Sequence, residues 1–171
     1  KAVRAGNSRS NPTEAQTIVA WIAENRRSLE ARYDRPVEQI VGIVTPFGAQ
    51  VRELRRACSA HKVPVSGRAG ITIGTVHALQ GAERPVVIFS PVYSKHADGG
   101  FIDVSPSMLN VTVSRAKDSF LLFGDMDVLA NAIPGSPRAL LSSFLDQPGL
   151  DLDFQPTPRV DLQESQGLLQ I

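Results

Sequence analysis

With one cysteine in the whole chain, Cys58, an internal disulfide is excluded and a reducing, cytoplasmic compartment is expected. No run approaches the ~18 apolar residues of a membrane-spanning helix, and no signal peptide opens the sequence. Several chemical signatures are missing too. There is no G-x-x-x-x-G-K-[ST] loop to cradle a triphosphate, no G-x-G-x-x-G turn and no G-x-S-x-G elbow. His61, His77 and His96 lie in unrelated segments without ligand-like spacing, so no metal site is expected. Asp125 and Asp127 read as a helix cap, and Asp151 and Asp153 as part of a polar tail.

What is present is an ordinary globular composition, 42% hydrophobic and 20% charged. The 171 residues suit one domain with a sizeable core. Numbering opens on Lys1, which fits a segment excised from a longer chain, although processing yields the same start. The net charge of +1 conceals an asymmetry. Residues 1–117 carry 16 Lys and Arg against 9 Asp and Glu, a net of +7, whereas residues 118–171 carry 2 against 8, a net of −6. The basic part suits phosphates and the acidic part does not.

Short apolar runs alternate with amphipathic ones. Asn11-Pro12-Thr13-Glu14 combines an N-cap, a proline at the first helical position and a capping-box glutamate. Ala15, Ile18, Val19, Ile22 and Ala23 then recur at helical spacing as far as Tyr33. Residues 40–44 read as a buried strand, and Thr45-Pro46 as the cap of a helix whose Val51, Leu54 and Cys58 share a face. Further strands are expected at 71–76, 85–92 and 119–123. Further helices are expected from Ser105-Pro106 through Ala116, around 126–131 and around 137–146. This pattern means α/β, a mainly parallel central sheet with helices on both faces. The expected domain is 1–147, followed by a linker or loosely packed tail at 148–171 rich in proline, glutamine and aspartate. Doubly wound sheets bind at the carboxyl ends of their strands. Lacking the usual signatures, this chain is expected to lend residues to a site completed elsewhere.

Three segments, in order, resemble the C-terminal motor domain of superfamily 1 helicases, in the branch of the RNA-surveillance and Okazaki-fragment-processing helicases. Residues 43–50, Ile-Val-Thr-Pro-Phe-Gly-Ala-Gln, are similar to that family's fourth motif. Residues 74–88, from Gly74-Thr75-Val76-His77-Ala78-Leu79-Gln80-Gly81-Ala82-Glu83 onward, are similar to the fifth, and Leu109 through Lys117 to the sixth. Asn11 through Ala15 resembles the family's opening N-x-x-E-A helix, and Gly124-Asp125 its G-[ND] ending. The resemblance covers residues 6–133. His77 stands where that branch has an acidic residue, and its Thr-Val-His setting is similar to the other branch of superfamily 1.

The resemblance implies a RecA-like three-layer sandwich and gives several residues a role. Arg115 is the arginine finger, catalytic toward the γ-phosphate of a nucleotide held on a missing N-terminal RecA-like domain, a task suited to a permanently charged planar fork. Gly81 and Glu83 bind the nucleotide, the carboxylate accepting from its hydroxyls or orienting groups around the phosphates. Thr45, Thr75, His77 and Gln80 touch the nucleic-acid backbone, which positions the chain without reading sequence. The substrate implied is ATP, with Mg2+ whose ligands lie on the missing domain. The partners implied are that domain and a single-stranded nucleic acid, DNA ahead of RNA. The full-length protein is then an ATP-dependent helicase, and the isolated fragment inactive. A blander reading exists for each residue: a surface arginine, a solvated loop glutamate, a packed histidine, a helix cap at Thr45, an exposed Gln50. Trp21, Phe47 and Phe101 read as packing rather than stacking platforms. Two other functions remain open on sequence alone, a catalytically idle docking module and an unrelated receiver- or flavodoxin-like binding domain.

Overall fold

The computed structural model describes residues 3–5, 8–65, 70–76, 83–93, 102–103 and 106–145. His77, Gln80, Gly81 and Phe101, together with the 148–171 segment, lie outside the described residues. A short antiparallel hairpin, β1 (Val3–Ala5) and β2 (Ser8–Ser10), precedes the long helix α1 (Pro12–Tyr33). Then follow α2 (Val37–Ile40), β3 (Val41–Thr45), α3 (Gly48–Ala60), β4 (Thr72–Thr75) and β5 (Arg84–Phe89). The described chain closes with α4 (Pro106–Val113), β6 (Ala116–Leu122), α5 (Met126–Ala130) and α6 (Pro137–Leu145). Strands β3 to β6 form one sheet, ordered β4-β3-β5-β6, with every neighbouring pair parallel.

Alternation along the strands explains the layers. Val86 and Ile88 of β5 join Ile43 and Ile73 in a core closed by Ile18, Val19 and Ile22 of α1 and Leu54, Ala57 and Cys58 of α3. Val87 and Phe89 face the other way, into a second core with Val44, Val76, Met108 and Leu109 of α4 and Leu141 of α6. A parallel strand apolar on both faces requires cover on both. The fold is therefore α/β, a parallel sheet between two helical layers, as the RecA-like expectation has it. Trp21 packs against the first core and meets Phe123 edge-on at 5.9 Å between ring centroids. Phe47 sits in the second core, edge-on to Tyr93 at 5.7 Å.

Several local expectations change. The helix expected to run through Ala116 stops at Val113, and its strand begins at Ala116 rather than at 119. Pairing is the cause: Ala116 stands opposite Arg84 in the sheet, and the Arg84 N–H donates to the Arg115 carbonyl at 3.0 Å. Thr45 does not cap a helix. It is the last residue of β3, the N-cap of α3 is Phe47, and the Thr45 hydroxyl accepts only a long 3.4 Å bond from the Phe47 N–H. Gln50 is fully buried rather than exposed. The capping box at Asn11 forms by half. Asn11 Oδ1 accepts from the Glu14 N–H at 3.2 Å, but the Asn11 N–H goes to Gln50 Oε1 at 2.7 Å rather than to Glu14. Asp125 does cap α5, accepting from the Asp127 N–H. Among the described residues no helix is long and apolar enough to cross a membrane.

Candidate nucleotide and nucleic-acid edges

The strands place the described candidate residues at opposite ends of the sheet. Thr45 and Thr75 end β3 and β4, and parallel register sets them side by side. Glu83 immediately precedes β5, and Arg115 immediately precedes β6. The two pairs are thus a strand's length apart, roughly 15 Å at ~3.3 Å per residue. One edge holds the hydroxyls and the other the charges.

At the amino edge, adjacent parallel strands bring the fifth and sixth motifs together. The Arg84 N–H···Arg115 carbonyl bond joins their two approach turns. Arg84 also reaches back with Nη1 to the Glu83 carbonyl at 2.9 Å and across with Nη2 to the Thr72 hydroxyl at 2.8 Å. This fastens the start of β5 to the start of β4 beyond it. Lys117 Nζ lies 2.9 Å from Glu83 Oε2. The Lys117 hydrogen bond, then its charge, holds the Glu83 carboxyl below the usual carboxylate range, and the Arg115 charge adds a smaller pull. Arg115 Nε is shielded from solvent and meets no hydrogen-bond partner among the described residues. A carboxylate beside a guanidinium makes an edge suited to a polyanion bearing hydroxyls. At the next strand position, Asp118 accepts from the Tyr33 hydroxyl and lies 3.3 Å from Arg32, tying the end of α1 to this edge.

The carboxyl edge rests on a buried polar lattice. Thr45 is fully buried and Thr75 half-buried. Beside them Glu14 Oε1 accepts from the Ser90 hydroxyl at 2.5 Å and from the Val92 N–H at 3.1 Å, while Oε2 accepts from Asn11 Nδ2 at 3.3 Å. Gln50 Nε2 donates to the Ser90 hydroxyl at 3.0 Å. Burial pushes the Glu14 carboxyl up to about 7, against the downward pull of the Ser90, Val92 and Asn11 donors. By sequence Glu14 is a capping residue, and neither Gln50 nor Lys117 has an assigned role. Their only sequence signal is membership of the opening helix, the fourth motif and the sixth. Among the described residues no group of three or more His, Cys, Asp or Glu side chains is placed to hold a metal ion.

A family model described as AAA domain matches residues 1–127. The chain belongs to this family. Helicase sen1 of Schizosaccharomyces pombe is 41% identical over 116 residues, 65% of this chain and 7% of its own length. ATP-dependent helicase upf1 of the same yeast is 32% identical over 130 residues, 73% of this chain and 13% of its own. Probable RNA helicase armi of Drosophila melanogaster is 34% identical over 98 residues, 53% of this chain and 8% of its own. The AAA domain here is therefore a RecA-like domain of superfamily 1 helicase type, and it spans only a small part of the curated relatives it matches.

Proposed function

We propose that this AAA domain is the second motor domain of an ATP-dependent helicase or translocase. It supplies Arg115, Glu83 and Gly81 to a nucleotide held mainly by a preceding RecA-like domain. That partner domain carries the P-loop and the Mg2+ ligands. Thr75, His77 and Gln80 are the contacts to a single-stranded nucleic acid, and Thr45, fully buried, supports that edge from within the sheet. The observation that supports the reading is the amino edge, where one backbone bond joins the turns bearing Glu83 and Arg115, and where Arg115 Nε has no hydrogen-bond partner among the described residues.

Hydrolysis moves a water oxygen onto the γ-phosphorus, breaks the bond to the β-γ bridging oxygen and releases ADP, phosphate and a proton. Negative charge spreads over the transferring group as this happens, and a delivered arginine stabilises it by roughly 10³–10⁵ in rate. Arg115 offers that charge when the cleft closes. Glu83 accepts from the nucleotide hydroxyls and sets the approach of the same edge. Because the proposed nucleic-acid edge lies at the opposite end of the same sheet, closing on nucleotide tilts that end against the track. Alternate closing and opening would then step the two domains along it.

The test is ATP hydrolysis by the full-length parent, with single-stranded DNA and single-stranded RNA as separate activators, for the parent and for Arg115→Ala. The expected result is a loss of roughly 10³-fold in kcat with nucleotide binding retained. The activating strand identifies the track, which sequence reasoning expects to be DNA. Unchanged turnover would remove Arg115 from the chemistry. Strand binding without hydrolysis in either protein would make the domain a docking module.

A further inference from the structure

Lys117 has no role in the reading above, yet it forms an ion pair with the Glu83 carboxylate. It is the second residue of β6, and Glu83 immediately precedes β5. The parallel pairing of Arg84 with Ala116 sets their side chains together, with Nζ 2.9 Å from Oε2. Both side chains keep about half or more of their surface in solvent, at 61% for Lys117 and 51% for Glu83. Such an exposed pair contributes little to folding. Its consequence is local. Glu83 thereby feels two cations, Lys117 in contact and Arg115 with a smaller effect.

We propose that Lys117 is a positioning residue that holds the Glu83 carboxylate in place at the amino edge, so that the nucleotide hydroxyls meet an acceptor already oriented. This rests on the nucleotide-binding reading of Glu83. A glutamate side chain free to rotate loses conformational entropy when it grips a ligand, and a partner that orders it beforehand removes that cost from binding. The carboxylate also offsets part of the positive charge that Lys117 and Arg115 bring to this edge. As the cleft closes and water leaves, the pair strengthens, because its charges then interact through a less polar medium.

The experiment uses the full-length parent at saturating single strand and compares Lys117→Met, Lys117→Arg, Glu83→Gln and the double variant Glu83→Gln/Lys117→Met. Lys117→Met should raise the KM for ATP roughly tenfold, the size of one lost charge-assisted contact. It should leave kcat within about twofold. Lys117→Arg should restore KM. The double variant should be no worse than Glu83→Gln alone, since both substitutions remove one interaction. The acid limb of the KM-against-pH profile should move to higher pH in Lys117→Met, because the carboxylate loses the cation that kept it ionised. Unchanged KM in Lys117→Met, with Glu83→Gln impaired, overturns the positioning role and leaves the Glu83 reading intact. Unchanged KM in Glu83→Gln overturns both. Additive losses in the double variant would mean that Lys117 grips the nucleotide independently of Glu83, which overturns the proposal. A loss confined to kcat does so too.

Discussion

Gln50 donates from its side-chain amide to the Ser90 hydroxyl at 3.0 Å, and neither residue has any surface in solvent. The same amide group accepts the Asn11 N–H at 2.7 Å, so one side chain on α3 fastens the entrance of α1 to the exit of β5. Buried donors left without partners cost more than the bonds themselves contribute. The lattice is therefore satisfied as a unit or not at all.

Replacing Gln50 by leucine keeps the volume and strands the buried Asn11 N–H. The expected cost is about 2–3 kcal/mol, read as a fall of about 5–10 °C in Tm. An unchanged melting curve would show that the Asn11 N–H finds another acceptor.

Glu14 makes stability depend on pH with a defined sign. Its carboxyl is raised from 4.5 to about 7 by burial, so the folded chain keeps a proton that the unfolded chain releases. The unfolded state binds fewer protons between those values, and the unfolding free energy falls as pH rises from 4.5 to about 7. This group's share of the fall is about 3 kcal/mol. Below that window both states are protonated and above it both are ionised, so the slope from Glu14 is confined to it. Denaturant titrations across the window should show the slope, and Glu14→Gln should abolish it. A slope that survives the substitution would have to come from other groups.

Cys58 sits fully buried on α3, and burial pushes its thiol up to about 12. The thiolate is the reactive form. A thiol reagent at neutral pH should therefore leave the folded protein unmodified and label one site per chain once denaturant unfolds it. Rapid labelling of the native protein would place Cys58 nearer the surface.

Much of this architecture is legible from local pattern. The Asn11-Pro12 start of α1 holds because an N-cap and a proline at the first position act within one turn. The apolar runs at Val41–Thr45 and Arg84–Phe89 are strands because a parallel strand between two layers has no polar face to show. The hairpin of β1 and β2 is illegible in the sequence, because three residues per strand are too few for a period-two pattern to stand out and β2 is wholly polar. Asp125 caps α5 for a reason that spans only two residues.

Other features depend on residues far apart in sequence. Glu14 carries a sound capping pattern, but its carboxylate is taken by Ser90 and Val92, 76 and 78 positions away. Thr45-Pro46 has the form of a cap, yet strand pairing with Thr75 draws Thr45 into β3 and leaves the N-cap to Phe47. Gln50 carries the same side chain whether exposed or buried, and only the approach of Asn11 and Ser90 makes it a buried hub. The motifs could be found in the chain's own order, because each is contiguous. Which end of the sheet each one faces, and the meeting of Glu83 with Lys117, followed from parallel pairing of β5 with β6. That pairing is a long-range choice, made by the burial of two apolar faces at once rather than by any local preference.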